Sequence, residues 1–160
     1  MTTLTYSDDM IPDLPLVAVA FGPPQAMGSK SAFVRNGRAI VTDQKGQKLK
    51  DFQTQLRWAM KETAPKSLIL GPVRVALTIV IKRPKSHYGT GKNAAKLKDS
   101  APVFCTSKPD ADKVLRSCLD CGTGIWWRDD SQVCVIGTLT KRYASDGEIE
   151  YTKIEARELS

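Results

Sequence analysis

Val73-Arg-Val-Ala-Leu-Thr-Ile-Val-Ile81 is the stretch from which the fold is read. Its apolar residues recur at every second position, placing Val73, Val75, Leu77, Ile79 and Ile81 on one face, and β-branched side chains dominate it. Both features specify a strand. Upstream, residues 44–63 carry Leu49, Phe52, Leu56, Ala59 and Met60 at helical spacing, which predicts an amphipathic helix stopped by Pro65. Before it, Ala32-Phe-Val-Arg35 and Arg38-Ala-Ile-Val41 flank Asn36-Gly37, the strongest short-range hairpin signal. Residues 16–21 form a short apolar strand ended by Gly22-Pro23-Pro24.

Downstream, residues 82–107 are rich in lysine, contain Gly89 and Gly91, and read as a mobile loop. Residues 110–119 predict a second helix with Val114, Leu115, Cys118 and Leu119 as its buried stripe. Asp110 or Asp112 can cap its first turn, and Gly122 lies past its last. Strands over residues 132–141 and 148–156, joined by a turn at Ser145-Asp-Gly147, complete the pattern. Strands outnumber helices and sequence neighbours can pair as hairpins. The expected fold is therefore α+β, a mixed or mainly antiparallel sheet with two main helices packed on one face. A length of 160 residues suits one well-buried core, and no repeat or linker interrupts it, so a single domain over residues 1–160 is expected.

Charge is segregated along the chain. Between residues 28 and 98 sixteen Lys/Arg face only Asp43, Asp51 and Glu62, a local charge of +13, while the remainder holds eight against fourteen, or −6. A basic region beside an acidic centre suits an enzyme of nucleic acids, because phosphate contacts supply affinity and carboxylates stop repelling the backbone once they hold a cation. Lys30, Arg35, Arg38, Lys82, Arg83 and Lys85 fall on loops, a hairpin or a strand end. With Lys108 and Lys141 they are the candidate DNA contacts, although any one of these lysines alone would read as ordinary surface charge.

Other chemistries lack residues. No apolar run approaches the roughly 20 residues that cross a bilayer, and Asp8, Asp9 and Asp13 stand where a leader would carry basic residues. The expectation is a soluble protein of the reducing cytoplasm, without a membrane partner. His87 is the single histidine, which leaves Ser-His-Asp catalysis and histidine-based zinc sites unsupplied. Cys118-x-x-Cys121 has zinc-ligand spacing but no second such pair, so Cys105, Cys118, Cys121 and Cys134 read as unbridged thiols before they read as a zinc site. Trp126-Trp127 fits a core, a dimer interface or stacking on an unpaired base.

The acidic centre is Lys108-Pro-Asp-Ala-Asp-Lys-Val-Leu-Arg116, then Leu119-Asp120, then Trp127-Arg-Asp-Asp-Ser-Gln-Val133. Asp110, Asp112 and Asp130 are candidate ligands for a hard divalent cation. Residues four apart share a helical face, so Asp112, Arg116 and Asp120 form a row with Asp110 leading into it at the helix N-terminus. Asp129 and Asp130, at the start of the next strand, point to opposite faces, so one of them reaches the site. Taken singly, Asp110 and Asp112 also read as helix caps and Asp129-Asp130 as a turn. Asp120 reads equally as an outer member of the site and as a helix-end partner for Arg116.

These segments resemble the signature of the RusA family of Holliday-junction resolvases, Lys-Pro-Asp-x-Asp-Asn-x-x-Lys, an Asp-x-Leu-x-Gly stretch and Asp-Asp-x-Gln-Ile/Val. The likeness runs from Lys108 to Gln132 and continues in the basic strand ending at Lys141-Arg142-Tyr143. A looser likeness covers the Phe21-Gly-Pro-Pro24 loop, the basic hairpin, the central helix and Arg83-Pro-Lys-Ser-His87. The resemblance implies a metal-dependent, structure-selective endodeoxyribonuclease that resolves four-way junctions by paired phosphodiester hydrolysis as a homodimer. It further implies Mg²⁺, with Mn²⁺ able to substitute, held by Asp110, Asp112 and Asp130, the last being the inward member of its pair. The chain departs from the pattern at Lys113, usually asparagine, and Arg116, usually lysine. Arginine does not deprotonate in a protein, so Arg116 is excluded as a general base and keeps an electrostatic role toward phosphate. Lys113 adds positive charge beside the candidate ligands. The alternatives are a catalytically weak or inactive branched-DNA-binding protein and a calcium- or magnesium-binding structural module.

Overall fold

The chain runs β1 (Leu16–Phe21), β2 (Lys30–Arg35), β3 (Arg38–Asp43), α1 (Gly46–Glu62), β4 (Val73–Ile81), α2 (Ala111–Gly122), β5 (Val133–Tyr143) and β6 (Tyr151–Glu158). The computed structural model describes residues 14–28, 30–43 and 46–160. The start expected for the first helix at Gln44, and Asp8, Asp9 and Asp13, lie outside the described residues.

Four strands form one sheet in the order β1-β6-β4-β5. β6 is antiparallel to both its neighbours, Ala18 facing Ile154 and Leu77 facing the same residue from the other side. β4 and β5 run parallel, Ile81 beside Tyr143. The sheet is mixed, as the sequence predicts, and its helices share one face. β5 and β6 are not a hairpin, however. The Ser145–Gly147 turn joins them, with Gly147 at φ 73°, but β4 lies between them. The burial of β4 explains this: its inward residues Val73, Val75, Leu77 and Ile79 are fully enclosed, and a strand so apolar is best served by a neighbour on each side. β2 and β3 form a separate hairpin closed by Asn36 and Gly37, both at positive φ, the geometry that two-residue loops need to match strand twist.

α1 buries Leu49, Phe52, Leu56 and Met60. α2 buries Val114, Ser117, Cys118, Cys121 and Gly122, while Leu115 and Leu119, expected in its buried stripe, are only partly covered. The helix is also longer than the sequence suggests. Gly122 is its last residue rather than a glycine beyond its end, and a Cβ added there would overlap the ring of Trp127. Close approach of the indole, not backbone freedom, requires glycine. Trp126 and Trp127 are both fully buried and meet edge to face with ring centroids 6.0 Å apart. Trp126 Nε1 donates to Met60 O at 2.9 Å, tying the end of α1 to the turn after α2. Each indole removes on the order of 200 Å² from water, about 5 kcal/mol of gross transfer free energy. The pair is core, which removes it from base stacking and from a dimer interface.

Residues 82–107, expected as a mobile loop, are built from hydrogen bonds. Arg83 donates from Nε to Ala144 O at 2.7 Å and from Nη1 to Pro102 O at 2.8 Å, and its guanidinium lies 5.5 Å from the Tyr143 ring centroid. His87 packs edge-on against the same ring at 4.7 Å and accepts at Nδ1 from Arg83, which has only donors to offer. Lys98 N donates to His87 O and Gly89 N to Lys96 O. The signal missed was Arg83 itself, whose partners are carbonyls remote in sequence.

Gly122→Ala is expected to destabilise the protein by about 1–3 kcal/mol through overpacking. In an open helix the same change stabilises by up to about 1 kcal/mol, so the sign found in urea unfolding decides whether indole contact governs this position.

Candidate active site

Residues 103–109 lead into α2 along the end of β5. Tyr143 N donates to Val103 O at 2.9 Å and Cys105 N to Lys141 O at 3.3 Å. Lys141 Nζ then donates to Ser107 O at 2.6 Å and Pro109 O at 2.9 Å. The ammonium of Lys141, expected as a DNA contact, braces the loop that carries Asp110. Arg83, also expected to meet DNA, donates to the carbonyls of Ala144 and Pro102.

Asp110 occupies the N-cap position of α2 but makes no side-chain cap hydrogen bond. Its Oδ2 instead meets Lys113 Nζ at 2.9 Å. The Lys113 ammonium holds the Asp110 carboxyl below the usual carboxylate range, helped by the charges of Lys108 and Lys141. In return the Lys113 ammonium is held above its ordinary value by Asp110 first and Asp112 as well. Asp112 and Arg116 are exposed on the same helix.

Asp120 is the half-buried member of the row. Burial raises its carboxyl, and the charge of Asp130 raises it further, against the opposing pull of Arg116 and Arg57. Asp120 and Asp130 are therefore neighbours, with guanidiniums from α2 and α1 in electrostatic reach. Arg57 escapes a reading of the sequence because its nearness to Asp120 depends on how α1 packs against α2.

Asp129 and Asp130 do not begin a strand. They open a turn of 3₁₀ helix, Asp130–Gln132, in which Asp129 Oδ1 accepts from Ser131 N at 2.9 Å and Gln132 Oε1 accepts from Asp129 N at 2.9 Å. The strand alternation expected at this pair is replaced by a capping box, a pattern legible in Asp129-Asp-Ser-Gln132. Ser131 keeps the Asp129 carboxyl low, so Asp129 is consumed as a cap and Asp130 is left exposed. Gln132 Nε2 donates to Ile69 O and Gly71 O at 3.0 and 2.9 Å, anchoring the turn to the segment that leads into β4.

The expected carboxylates thus fall into two groups. Asp110 and Asp112 stand at the start of α2, beside the Lys141 end of β5. Asp120 and Asp130 stand at its far end, beside the Val133 end of β5. Asp112 and Asp120 are separated by about 12 Å of helix rise. Among the described residues no three His, Cys, Asp or Glu side chains come close enough together to hold one metal ion. Cys118 and Cys121 are unbridged and buried, their thiols pushed up by burial, that of Cys121 to about 11, as befits thiols packed in an apolar core.

Of the remaining basic candidates, Arg35 and Arg38 face one another across the exposed tip of the β2–β3 hairpin. Lys82, Lys85 and Lys108 are exposed. Lys30 lies on β2, its side chain outside what is described.

Lys141→Met removes two charge-assisted hydrogen bonds from the loop before α2 and is expected to cost about 1–3 kcal/mol. Hydrogen exchange should accelerate locally over residues 105–110. Unchanged protection there would show that Lys141 does not brace the loop.

Residues 22–152 match the family described as Endodeoxyribonuclease RusA. The chain is also similar to YqaN, an uncharacterized protein of Bacillus subtilis (strain 168), with 27% identity over 130 residues, 81% of this chain and 89% of the relative. No helix among the described residues is long and apolar enough to cross a membrane. With a match that takes in the hairpin, both helices and the aspartates at either end of α2, the chain belongs to the RusA family of endodeoxyribonucleases.

Proposed function

We propose that the chain acts as one nuclease domain, over residues 1–160, that resolves four-way DNA junctions by divalent-cation-dependent hydrolysis, with Mg²⁺ as the ion and Mn²⁺ able to replace it. The observation that carries the reading is the division of the aspartates into Asp110/Asp112 and Asp120/Asp130 at the two ends of α2. Neither pair is a sufficient donor set alone. A symmetric homodimer that sets one copy's Asp130 against its partner's α2 N-terminus completes two sites at once, and resolving a junction needs two cuts. β5 supports such pairing: its β4 side is occupied, Ile136 and Leu139 are exposed along it, and the described residues beside its outer edge bridge only its C-terminal end, at Arg142.

The donor chemistry suits the ion. Carboxylate oxygens are the ligands that Mg²⁺ and Mn²⁺ prefer, and Asp110 already balances one cationic group, the Lys113 ammonium. Asp110, Asp112 and Asp130 are the residues that would hold the ion. When bound, it polarises a phosphoryl oxygen and lowers the pKa of the attacking water. Arg116, exposed between the two aspartate pairs, meets the charge that develops on the phosphate and moves no proton. Asp120 is a positioning residue, its charge keeping Arg116 and Arg57 at this face of α2. Arg35 and Arg38 on the hairpin tip, with Lys82, Lys85, Lys108 and Lys30, supply phosphate contacts. The ion pair at Lys113 favours one alternative, a weak or inactive enzyme that still binds branched DNA, and junction cleavage with and without chelator separates the two.

Asp112→Asn should keep or tighten junction binding, since repulsion falls, while cleavage drops by orders of magnitude; Asp129→Asn, which removes only a cap, should be far milder. Composite sites add a sharper expectation. Mixing inactive Asp112→Asn and Asp130→Asn proteins should form heterodimers with one intact site, restoring single-strand nicking of a junction. Absence of nicking, with subunit exchange demonstrated, would rule out sites shared between subunits.

Neutralising Arg35 together with Arg38 should weaken binding to all sequences alike and lower the slope of log affinity against log salt by about one for each phosphate no longer neutralised. An unchanged slope would place the DNA away from the hairpin tip.

A further inference from the structure

We infer that Lys113 is an internal counter-ion that competes with the divalent cation for Asp110 and so sets the metal affinity of the DNA-free protein. The inference rests on the nuclease reading above.

Asp110 is the N-cap residue of α2 and Lys113 stands three residues on, in the first turn. The usual partners of an N-cap carboxylate are the backbone N–H groups two and three residues later. Here the side chain of Lys113 takes the carboxylate that its own N–H would otherwise receive. Oδ2 lies 2.9 Å from Nζ, and α2 has no side-chain cap hydrogen bond. The ammonium also lies in the field of Asp112. It therefore occupies an oxygen of Asp110 and lies within electrostatic reach of Asp112, two of the carboxylates that would hold the ion.

The two cations cannot share the position. An ammonium offers three donors and no vacant coordination site, and a divalent ion beside it would meet a like charge at short range. The pair is nevertheless displaceable. The Lys113 and Asp110 side chains are 47% and 45% exposed, and ion pairs so open to water contribute little stability. Other positive groups near Asp110 do not act in the same way. Lys141 is held by two carbonyls, and Lys108 reaches Asp110 through its charge without an ion pair among the described residues. An asparagine at position 113, as in the family pattern, would leave Asp110 without a cation of its own.

The test is Mn²⁺ binding to the full-length, DNA-free protein, followed by the electron paramagnetic resonance signal of free Mn²⁺. Lys113→Asn should bind about three- to tenfold more tightly than wild type, the effect expected from removing one nearby, partly screened positive charge. Lys113→Arg, which keeps the charge, should bind as wild type does. In an Asp110→Asn background the gain from Lys113→Asn should vanish, since the two substitutions act through one contact. Equal affinity of wild type and Lys113→Asn, or an equal gain in Lys113→Arg, would overturn this inference and leave the nuclease reading standing. Failure of every variant to bind Mn²⁺ at millimolar concentration would overturn both.

Discussion

The parallel pairing of β4 with β5 is the constraint from which the site follows. Antiparallel neighbours can be joined by a tight turn, but parallel ones need a crossover that returns the chain to the starting end of the sheet. The chain leaves β4 at Ile81 and re-enters beside it at Val133, so everything between must travel back along the strand direction. α2 makes that return. It starts near the Lys141 end of β5 and finishes near the Val133 end, over the face that α1 also covers. Its two ends are therefore fixed to opposite ends of β5, and so are the aspartates they carry.

Apolar packing then makes this placement rigid. The Trp126–Trp127 turn follows α2 directly, its indoles buried against the end of α1 and over Gly122. The next turn is held by the Asp129–Gln132 capping box and by Gln132 reaching back to Ile69 and Gly71. At the other end Lys141 fixes the loop before Asp110. Polar residues that look like ligands or DNA contacts in the sequence make these anchoring hydrogen bonds. Asp129, Gln132, Lys141 and Arg83 build the frame, which fixes where Asp110, Asp112, Arg116, Asp120 and Asp130 stand along α2 and the turn after it.

A helical row of charged residues has a length as well as a face. Each step of four residues keeps the direction and advances about 6 Å along the axis. Asp112, Arg116 and Asp120 share an orientation yet span farther than one ion can bridge. Burial adds a second distinction within the row. Asp112 stays exposed, whereas Asp120 is partly buried and lies in the field of Asp130, so identical side chains eight residues apart have different surroundings.

The periodicities were legible in the sequence because they follow from local geometry. The two-residue alternation of Val73–Ile81, the helical spacing of Leu49 to Met60 and the Asn36-Gly37 turn each specify an element through contacts among near neighbours. The aspartates and Arg116 were legible because composition and spacing mark them, and Lys113 and Arg116 stood out as departures through the resemblance to the RusA pattern. Other features needed the folded chain. Which strands pair was decided by the burial of both sides of β4. Whether Arg83 and Lys141 meet solvent or carbonyls was decided by segments remote in sequence. The proximity of Arg57 to Asp120, the use of Asp129 as a cap and the turn of Asp110 toward Lys113 depend on packing and on competition between partners. The sequence by itself determined which chemical groups are present and which elements carry them; the tertiary structure alone decided their separation, because a short span of chain can still hold its two ends at opposite sides of a sheet.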